Sequence, residues 1–293
     1  MRLSVIVPVY NAEKYIDRCI KSLIYQSEKD MEIIAIDNHS SDNSLELLSQ
    51  YKDNIRIVAQ PRTYTQAHSM NLGVSLANGE YIAECDSDDY VDLKMYKTLL
   101  DSAEDCDVIH CGFTEYSRGG FGASKLIKGL GTPFSPMRDL LPKDRFLFLQ
   151  FQPHLQSAIY RKSFITDNDL HFRENGIYED TSLTFKIRTT AKRYKIVPKY
   201  MYFYCTDNPN SGTATDNRVF GLFEQYEEMS RWNKEKNLGL DKELATMKFY
   251  TYLWSQTRRM DAKTDREFWD RAREEFRRDD IDGEFFYAPA HYR

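Results

Sequence analysis

Over its first 115 residues the chain alternates short, β-rich apolar runs with segments of helical period. This alternation restricts the fold more than any other feature, because strands separated by helices make βαβ units and a parallel or mixed sheet. The apolar runs fall at residues 3–9, 31–36, 55–59, 81–85 and 107–112. After the first, Ile16, Cys19, Ile20, Leu23 and Ile24 recur at i, i+3, i+4, i+7 and i+8, with Asn11 placed to cap the helix. After the second, Asp42 is placed to cap a helix that turns Leu45, Leu48 and Tyr51 inward. Residues 65–77 read as a helix stopped by Asn78-Gly79, and Leu93, Tyr96, Leu99, Leu100 and Ala103 mark another. The fold class is therefore α/β.

The order breaks at residues 117–142, where glycine and proline are dense, so a mobile loop or insertion is expected there. Amphipathic order returns near residues 145–151. Residues 157–165 read as a strand and a short helix, Glu179-Asp180 opens a helix, and residues 194–204 form an aromatic strand before a polar loop at 206–216. Beyond Asn217, three charged helices are expected. They carry Val219, Leu222, Phe223, Tyr226 and Met229; then Leu244, Met247, Phe249, Tyr250, Leu253 and Trp254; then Phe268, Trp269, Ala272 and Phe276. Their mixed charge suits a solvated face better than a membrane-binding one, which would be basic. Phe249, Tyr250, Trp254 and Trp269 exceed what one core needs, so a homodimer through these helices is expected.

Composition excludes several classes. With 293 residues, 41% hydrophobic and 14% aromatic, the chain has material for a large core and is neither disordered nor a small disulfide scaffold. Lys and Arg number 40 against 45 Asp and Glu, a net charge of −5, which argues against nucleic acid as a partner. The run Leu3–Val9 is far shorter than the ~20 residues of a membrane span and has no cleavage site after it. No transmembrane segment is expected elsewhere. The five scattered cysteines lack CxxC spacing and read as reduced core thiols of a cytoplasmic protein. No HxxxH or HExxH pair suggests zinc.

Ligands of open α/β sheets bind beyond the C-terminal ends of the strands. Polar clusters fall there at residues 8–11, 37–42 and 86–89. Any one of them also reads as an ordinary turn or cap. No GxGxxG follows the first strand and no GxxxxGK[ST] exists, which sets aside dinucleotide-binding and P-loop chemistry. The cluster Asp86-Ser87-Asp88-Asp89 concentrates like charges that a cation would offset. Hard carboxylate oxygens select Mg²⁺ or Mn²⁺, which commonly bind substrate phosphates as well, so a cation between this turn and a diphosphate is expected.

The segments SVIVPVYN (4–11), IDNHSSDNS (36–44), NLGVSLANGEYIAECDSDDY (71–90) and YEDTSLTFKI (178–187) together resemble family 2 glycosyltransferases, inverting enzymes of the GT-A fold. The resemblance implies a glycosyltransferase domain at 1–216, with a nucleotide-sugar half at 1–115 and an acceptor half at 116–216, followed by a helical region at 217–293. It implies that Pro8 and Tyr10 line the base pocket and that Asp37 and Asn38 accept hydrogen bonds from the base. Asn38 stands where Asp is common. Asp86, Ser87 and Asp88 match the Asp-x-Asp motif, with Asp88 as the direct metal ligand and Asp86 facing ribose or a metal-bound water. Asn71 matches a donor-binding position, but Met70 beside it stands where Arg is common, which leaves Arg62 or His68 to compensate. Asp180 matches the catalytic base, Glu179 an acceptor-orienting residue, and Ser211 a segment over the donor.

The resemblance thus implies a metal-dependent transferase moving a sugar from a nucleotide-diphosphate donor, a UDP-sugar by family habit, to a hydroxyl of a surface polysaccharide or lipid-linked glycan. Its expected place is the cytoplasm, including the inner face of the membrane, with peripheral association there. Two other readings stand beside it. One is a degenerate, inactive subunit that binds nucleotide sugar or glycan; the other is a phosphoryl-transfer enzyme with Asp86 as nucleophile. Tyr200, Tyr202, Phe203 and Tyr204 read as a sugar platform or as strand packing.

Overall fold

A strand buried at every position, β1 (Leu3–Val9), lies between two parallel neighbours. Parallel strands are covered on both faces, which is why their sequences are continuously apolar and not alternating. In chain order there follow α1 (Ile16–Ile24), β2 (Met31–Asp37), α2 (Ser44–Ser49), β3 (Arg56–Ala59), α3 (Gln66–Leu76), β4 (Tyr81–Glu84), β5 (Tyr90–Val91), α4 (Met95–Asp101), β6 (Val108–Ser117), β7 (Gly120–Lys125), α5 (Pro136–Asp139) and α6 (Pro142–Gln150). A 3₁₀ turn (Leu155–Ser157) leads to β8 (Ala158–Arg161), α7 (Lys162–Asp167), α8 (Glu179–Thr190), β9 (Tyr194–Cys205), α9 (Gly221–Glu235), α10 (Asp241–Ser255) and α11 (Ala262–Arg278). The computed structural model describes residues 1–117, 119–125, 131–150, 154–174, 178–206, 208, 219–255 and 262–278.

Among the described residues the strands form one mixed sheet in the order β3-β2-β1-β4-β8-β6-β9-β5, with β7 beside β6. β3, β2, β1 and β4 run parallel, and β8 is antiparallel to both β4 and β6. The chain divides into two compact units, Met1–Asn175 with Ile187–Asn208, and Gly176–Lys186 with Pro209–Arg293. The first unit contains the whole sheet. The second contains the C-terminal helices, where Phe223, Tyr252 and Phe268 pack ring against ring. Phe249 meets Tyr250 and Phe276, and Trp269 meets Phe268, so much of the aromatic surplus read in these helices is used inside the unit. No helix among the described residues is long and apolar enough to cross a membrane. All five cysteines are buried and free.

Some local expectations are corrected. Asn11 does not cap α1; it sits at φ 49° and its Oδ1 accepts from the Ser41 N–H at 2.8 Å, while the turn 12–15 precedes the helix. Leu45, within α2, is exposed where it was read as inward, and Leu93 is exposed because α4 starts only at Met95. Residues 117–142 are not wholly irregular. β6 runs to Ser117 and turns through Gly120, at φ 114°, into β7, which has one partner strand and an exposed surface. By contrast, the Thr65 hydroxyl caps α3 by accepting from His68 N–H at 3.1 Å, and the helix ends before Asn78-Gly79 as read.

The α3–β4 turn is bound to the start of β1. Buried Ser4 accepts from the N–H groups of Asn78 and Gly79 at 3.1 and 2.8 Å and donates to Glu32 at 2.6 Å. A Cβ on Gly79 would lie 2.5 Å from backbone atoms of Leu3 and Ser4, which have no side-chain freedom with which to yield. Gly79→Ala is expected to lower unfolding free energy by about 1–3 kcal/mol in a urea titration, the usual cost of overpacking.

His154 lies in the sheet core, stacked on Phe113 at 3.9 Å and edge-on to Tyr202 and Tyr204. Neither ring nitrogen has a hydrogen-bond partner. Burial pushes its pKa down to about 3, and the same cause acts on His110. The unfolded chain takes up these protons near pH ~6.5. Between that pH and 3 the unfolded state binds more protons, so stability falls as pH drops through this window. Unfolding free energies of His154→Phe measured across pH 4.5–7 should fall less steeply than those of the unaltered chain, by up to about 1.4 kcal/mol per pH unit.

Candidate active site

Three parallel strands end on one side of the sheet, at Val9, Asp37 and Glu84. Pro8 fits in a central strand because pairing with β4 stops at Ile6↔Glu84, while on the other side Asn38 N–H donates to Val9. Tyr10, just past the strand, is 53% exposed. The loops after β1 and β2 are stitched together by hydrogen bonds from Asn11, Ala12 and Glu13 N–H to Ser40, Ser44 and Asp42.

Asp37 is almost wholly buried. One carboxylate oxygen accepts from Ser40 N–H at 3.2 Å, and the other, Oδ1, has no partner. Asn38 is buried and spends both ends of its amide inside the chain. Its Nδ2 donates to the Tyr64 carbonyl at 2.8 Å, and its Oδ1 accepts from Tyr64 N–H at 2.7 Å and Gln60 Nε2 at 3.3 Å. This two-way clamp fixes Tyr64, whose ring stacks on His68 at 4.2 Å under the Arg62 guanidinium.

The acidic turn follows β4. Asp86 accepts from Gln66 Nε2 at Oδ1 and from Gln156 Nε2 at Oδ2. Ser87 is half-buried. Asp88 accepts from Asn208 Nδ2 at 2.7 Å through Oδ2, and its carbonyl accepts from Arg18 and from the Tyr116 hydroxyl. Asp89 is fully buried and accepts from the Tyr202 hydroxyl at 2.6 Å and Cys205 N–H at 2.7 Å. Burial raises the pKa of Asp88 and, with the charges of Asp88 and Asp86 nearby, pushes that of Asp89 well up.

No group of three or more His, Cys, Asp or Glu side chains able to hold a metal occurs among the described residues. A protein cage is therefore not what this turn offers. It offers the desolvated carboxylate of Asp88, with the oriented Asp86 beside it. This donor set suits Mg²⁺ or Mn²⁺, which need one or two carboxylates with waters and phosphates completing the shell.

Asn71 turns inward as well. Its amide exchanges hydrogen bonds with the Phe172 backbone at 2.9 and 3.0 Å and reaches Glu174, which also pairs with His68. Met70 is 3% exposed, a packing residue of α3. In the second unit, Tyr178 at φ 60° turns the chain into α8, whose first turn carries Glu179 and Asp180; the Thr181 hydroxyl donates to Asp180. A carboxylate in a first helical turn is favoured by the helix dipole. Ser211 lies outside the described residues. Of the aromatic strand, Tyr202 is buried as a packing and hydrogen-bonding residue, Phe203 stacks on Tyr90, and Tyr200 is 48% exposed. A hollow of about 260 Å³ lies at the opposite ends of the strands, between Arg2, Glu80, Tyr81 and Arg161, away from the acidic turn.

Gln66, Gln156 and Asn208 were not legible as site residues, and Tyr202 was read as a sugar platform or strand packing and not as a partner of the acidic turn. They belong to no local motif and meet the turn only through the fold.

A family model described as glycosyl transferase family 2 matches residues 4–166. Among curated proteins, poly(ribitol-phosphate) β-N-acetylglucosaminyltransferase TarS of Staphylococcus aureus is 30% identical over 213 residues, covering 70% of this chain and 36% of that protein. The uncharacterized glycosyltransferase EpsJ of Bacillus subtilis is 30% identical over 222 residues, covering 72% of this chain and 62% of its own. The chain thus spans between about a third and under two-thirds of the length of these relatives. Among solved structures, S. aureus TarS 1–349 in complex with UDP-GlcNAc superposes with a TM-score of 0.69 at 21% identity, covering 84% of this chain and 71% of that one, a likeness of fold. The sheet with its strand-end acidic turn, the GT-A-like superposition and the family match over residues 4–166 agree: this chain belongs to glycosyl transferase family 2.

Proposed function

We propose that the chain is an inverting glycosyltransferase that moves a sugar from a UDP-sugar to a hydroxyl of a surface polysaccharide or lipid-linked glycan. The observation that carries this reading is the Asp86-Ser87-Asp88 turn at the end of β4, beside strand ends that present an exposed Tyr10 and a buried, unpartnered oxygen of Asp37. UDP-GlcNAc in the TarS structure supports the donor class, and the poly(ribitol-phosphate) in the name of TarS supports a hydroxyl-bearing surface polymer as acceptor.

In this reading the Tyr10 ring packs on the base and Pro8 shapes the strand end beneath it. Asp37 Oδ1 accepts from a base N–H, which satisfies an otherwise orphaned acceptor. Asn38 acts through Tyr64, and Asn71 through the segment at Phe172, both as residues that hold the donor pocket in shape. Ser87 and Asp86 face the donor. Asp88 with Asp86 would hold Mn²⁺ or Mg²⁺, which when bound offsets the charge on the departing diphosphate. Asp180 takes the proton of the acceptor hydroxyl as that oxygen attacks the anomeric carbon opposite the diphosphate, and Glu179 orients the acceptor.

Two measurements test the reading. Asp180→Asn is expected to lower sugar transfer by at least about 100-fold, the scale of a lost general base, with UDP affinity within about twofold of the unaltered chain. Transfer near the original rate would remove Asp180 from that role. Calorimetric titration with UDP should show binding that strengthens with MnCl₂ and loses this dependence in Asp88→Ala. Equal affinity with MnCl₂ and with EDTA would count against the cation.

A further inference from the structure

Asp86 is held from two sides before any ligand arrives. Gln66, the first residue of α3, donates its Nε2–H to Oδ1 at 3.0 Å. Gln156, in the 3₁₀ turn before β8, donates to Oδ2 at 2.9 Å. The Asp86 backbone N–H donates to the Tyr202 hydroxyl at 3.2 Å, which fixes the base of the side chain as well. A free carboxylate rotates in a broad, two-fold well about its last torsion. An amide donor at each oxygen sets the plane of the group. Each oxygen has two acceptor positions, and the amides occupy one on each. Both clamping groups are neutral amides, so neither brings a charge of its own to the carboxylate, as a Lys or Arg at either place would. Gln66 and Gln156 stand 20 and 70 residues away from Asp86 and belong to elements on either side of β4. The clamp is therefore a property of the assembled sheet and not of the turn.

We propose that Gln66 and Gln156 are positioning residues that preset the Asp86 carboxylate for the nucleoside-diphosphate donor. This rests on the donor reading above and extends it to two side chains outside the Asp-x-Asp turn. An acceptor ordered in advance spares the ordering cost on binding.

The test is a mutant cycle in the full chain. UDP with MnCl₂ is titrated calorimetrically into the unaltered protein, Gln66→Ala, Gln156→Ala, Asp86→Ala, and Asp86→Ala combined with each glutamine change; thermal melts report folding. Each glutamine variant should bind UDP roughly tenfold more weakly, the scale of a lost hydrogen bond to a charged group. Added to Asp86→Ala, the same changes should cost less than about twofold, because both glutamines act through that carboxylate. If an alanine variant unfolds, Gln156→Glu and Gln66→Glu replace it. They keep the side-chain size, remove the N–H and set like charge against Asp86, and they should weaken UDP at least as much. UDP affinity unchanged in the glutamine variants overturns the proposal, as does an equal loss on the Asp86→Ala background. Failure of the unaltered chain to bind either UDP or GDP overturns the donor reading itself, and this inference with it.

Discussion

The buried carboxylate of Asp89 is the contact on which the site depends. The turn at residues 85–89 carries the chain from β4 to β5, which lies beyond β8, β6 and β9 in the sheet order. So short a link has little slack, and Asp89 anchors it through the Tyr202 hydroxyl and the Cys205 N–H at the end of β9. A carboxylate buried without such donors would cost several kcal/mol. Tyr202 does a second task by accepting from Asp86 N–H, so one hydroxyl joins the anchor to the carboxylate that faces outward. The donors that reach these acids from Gln66, Gln156, Tyr202, Asn208 and Cys205 are all neutral. They fix geometry without bringing a positive charge of their own to the turn.

The parallel half of the fold was legible in the sequence because burial on both faces writes each strand as an unbroken apolar run. β1, β2 and β4 fall where those runs fall. β5 and β7 were not legible, and for different reasons. β5 is only Tyr90–Val91 and exists because β9 supplies its partner, at Tyr90↔Phe203 and Val91↔Tyr202. β7 has an exposed surface, so GFGASK shows no apolar pattern, and backbone pairing with β6 alone makes it a strand. Leu45 and Leu93 were misplaced for a related reason. A helical period does not say where a short helix starts, so Leu93 falls before α4, and over the six residues of α2 it does not fix which face is inward for Leu45.

The site was legible to the same depth. Asp37, Asp86 and Asp88 lie where strands end, and strand ends can be read. What each polar atom does there cannot be read locally. Asn38 and Asn71 were read as groups facing a ligand, yet both close their amides on the chain itself, on Tyr64 and on Phe172. Their partners lie 26 and 101 residues away, which no local motif encodes. Asp37 differs from them by one atom. Its Oδ2 is satisfied by Ser40, and its Oδ1 is left without a partner. In a buried setting that orphan is expensive unless something fills it, so it says more about a ligand than the identity of the residue does.

The same accounting explains the departure at Met70. At 3% exposure this position is part of the contact between α3 and the sheet, and a guanidinium there would be buried without a carboxylate offered to it by the adjoining α3 residues Ser69 and Asn71. Methionine fills such a gap at little cost. The polar contacts of this stretch lie one turn earlier. Arg62 lies over the Tyr64 ring, Tyr64 stacks on His68, and Thr65 caps the helix that begins with Gln66. Asn38 and Tyr64 hold that neck to the end of β2, and Gln66 holds it to the acidic turn after β4. The two strand ends are therefore connected through Asn38, Tyr64 and Gln66, none of them at residue 70.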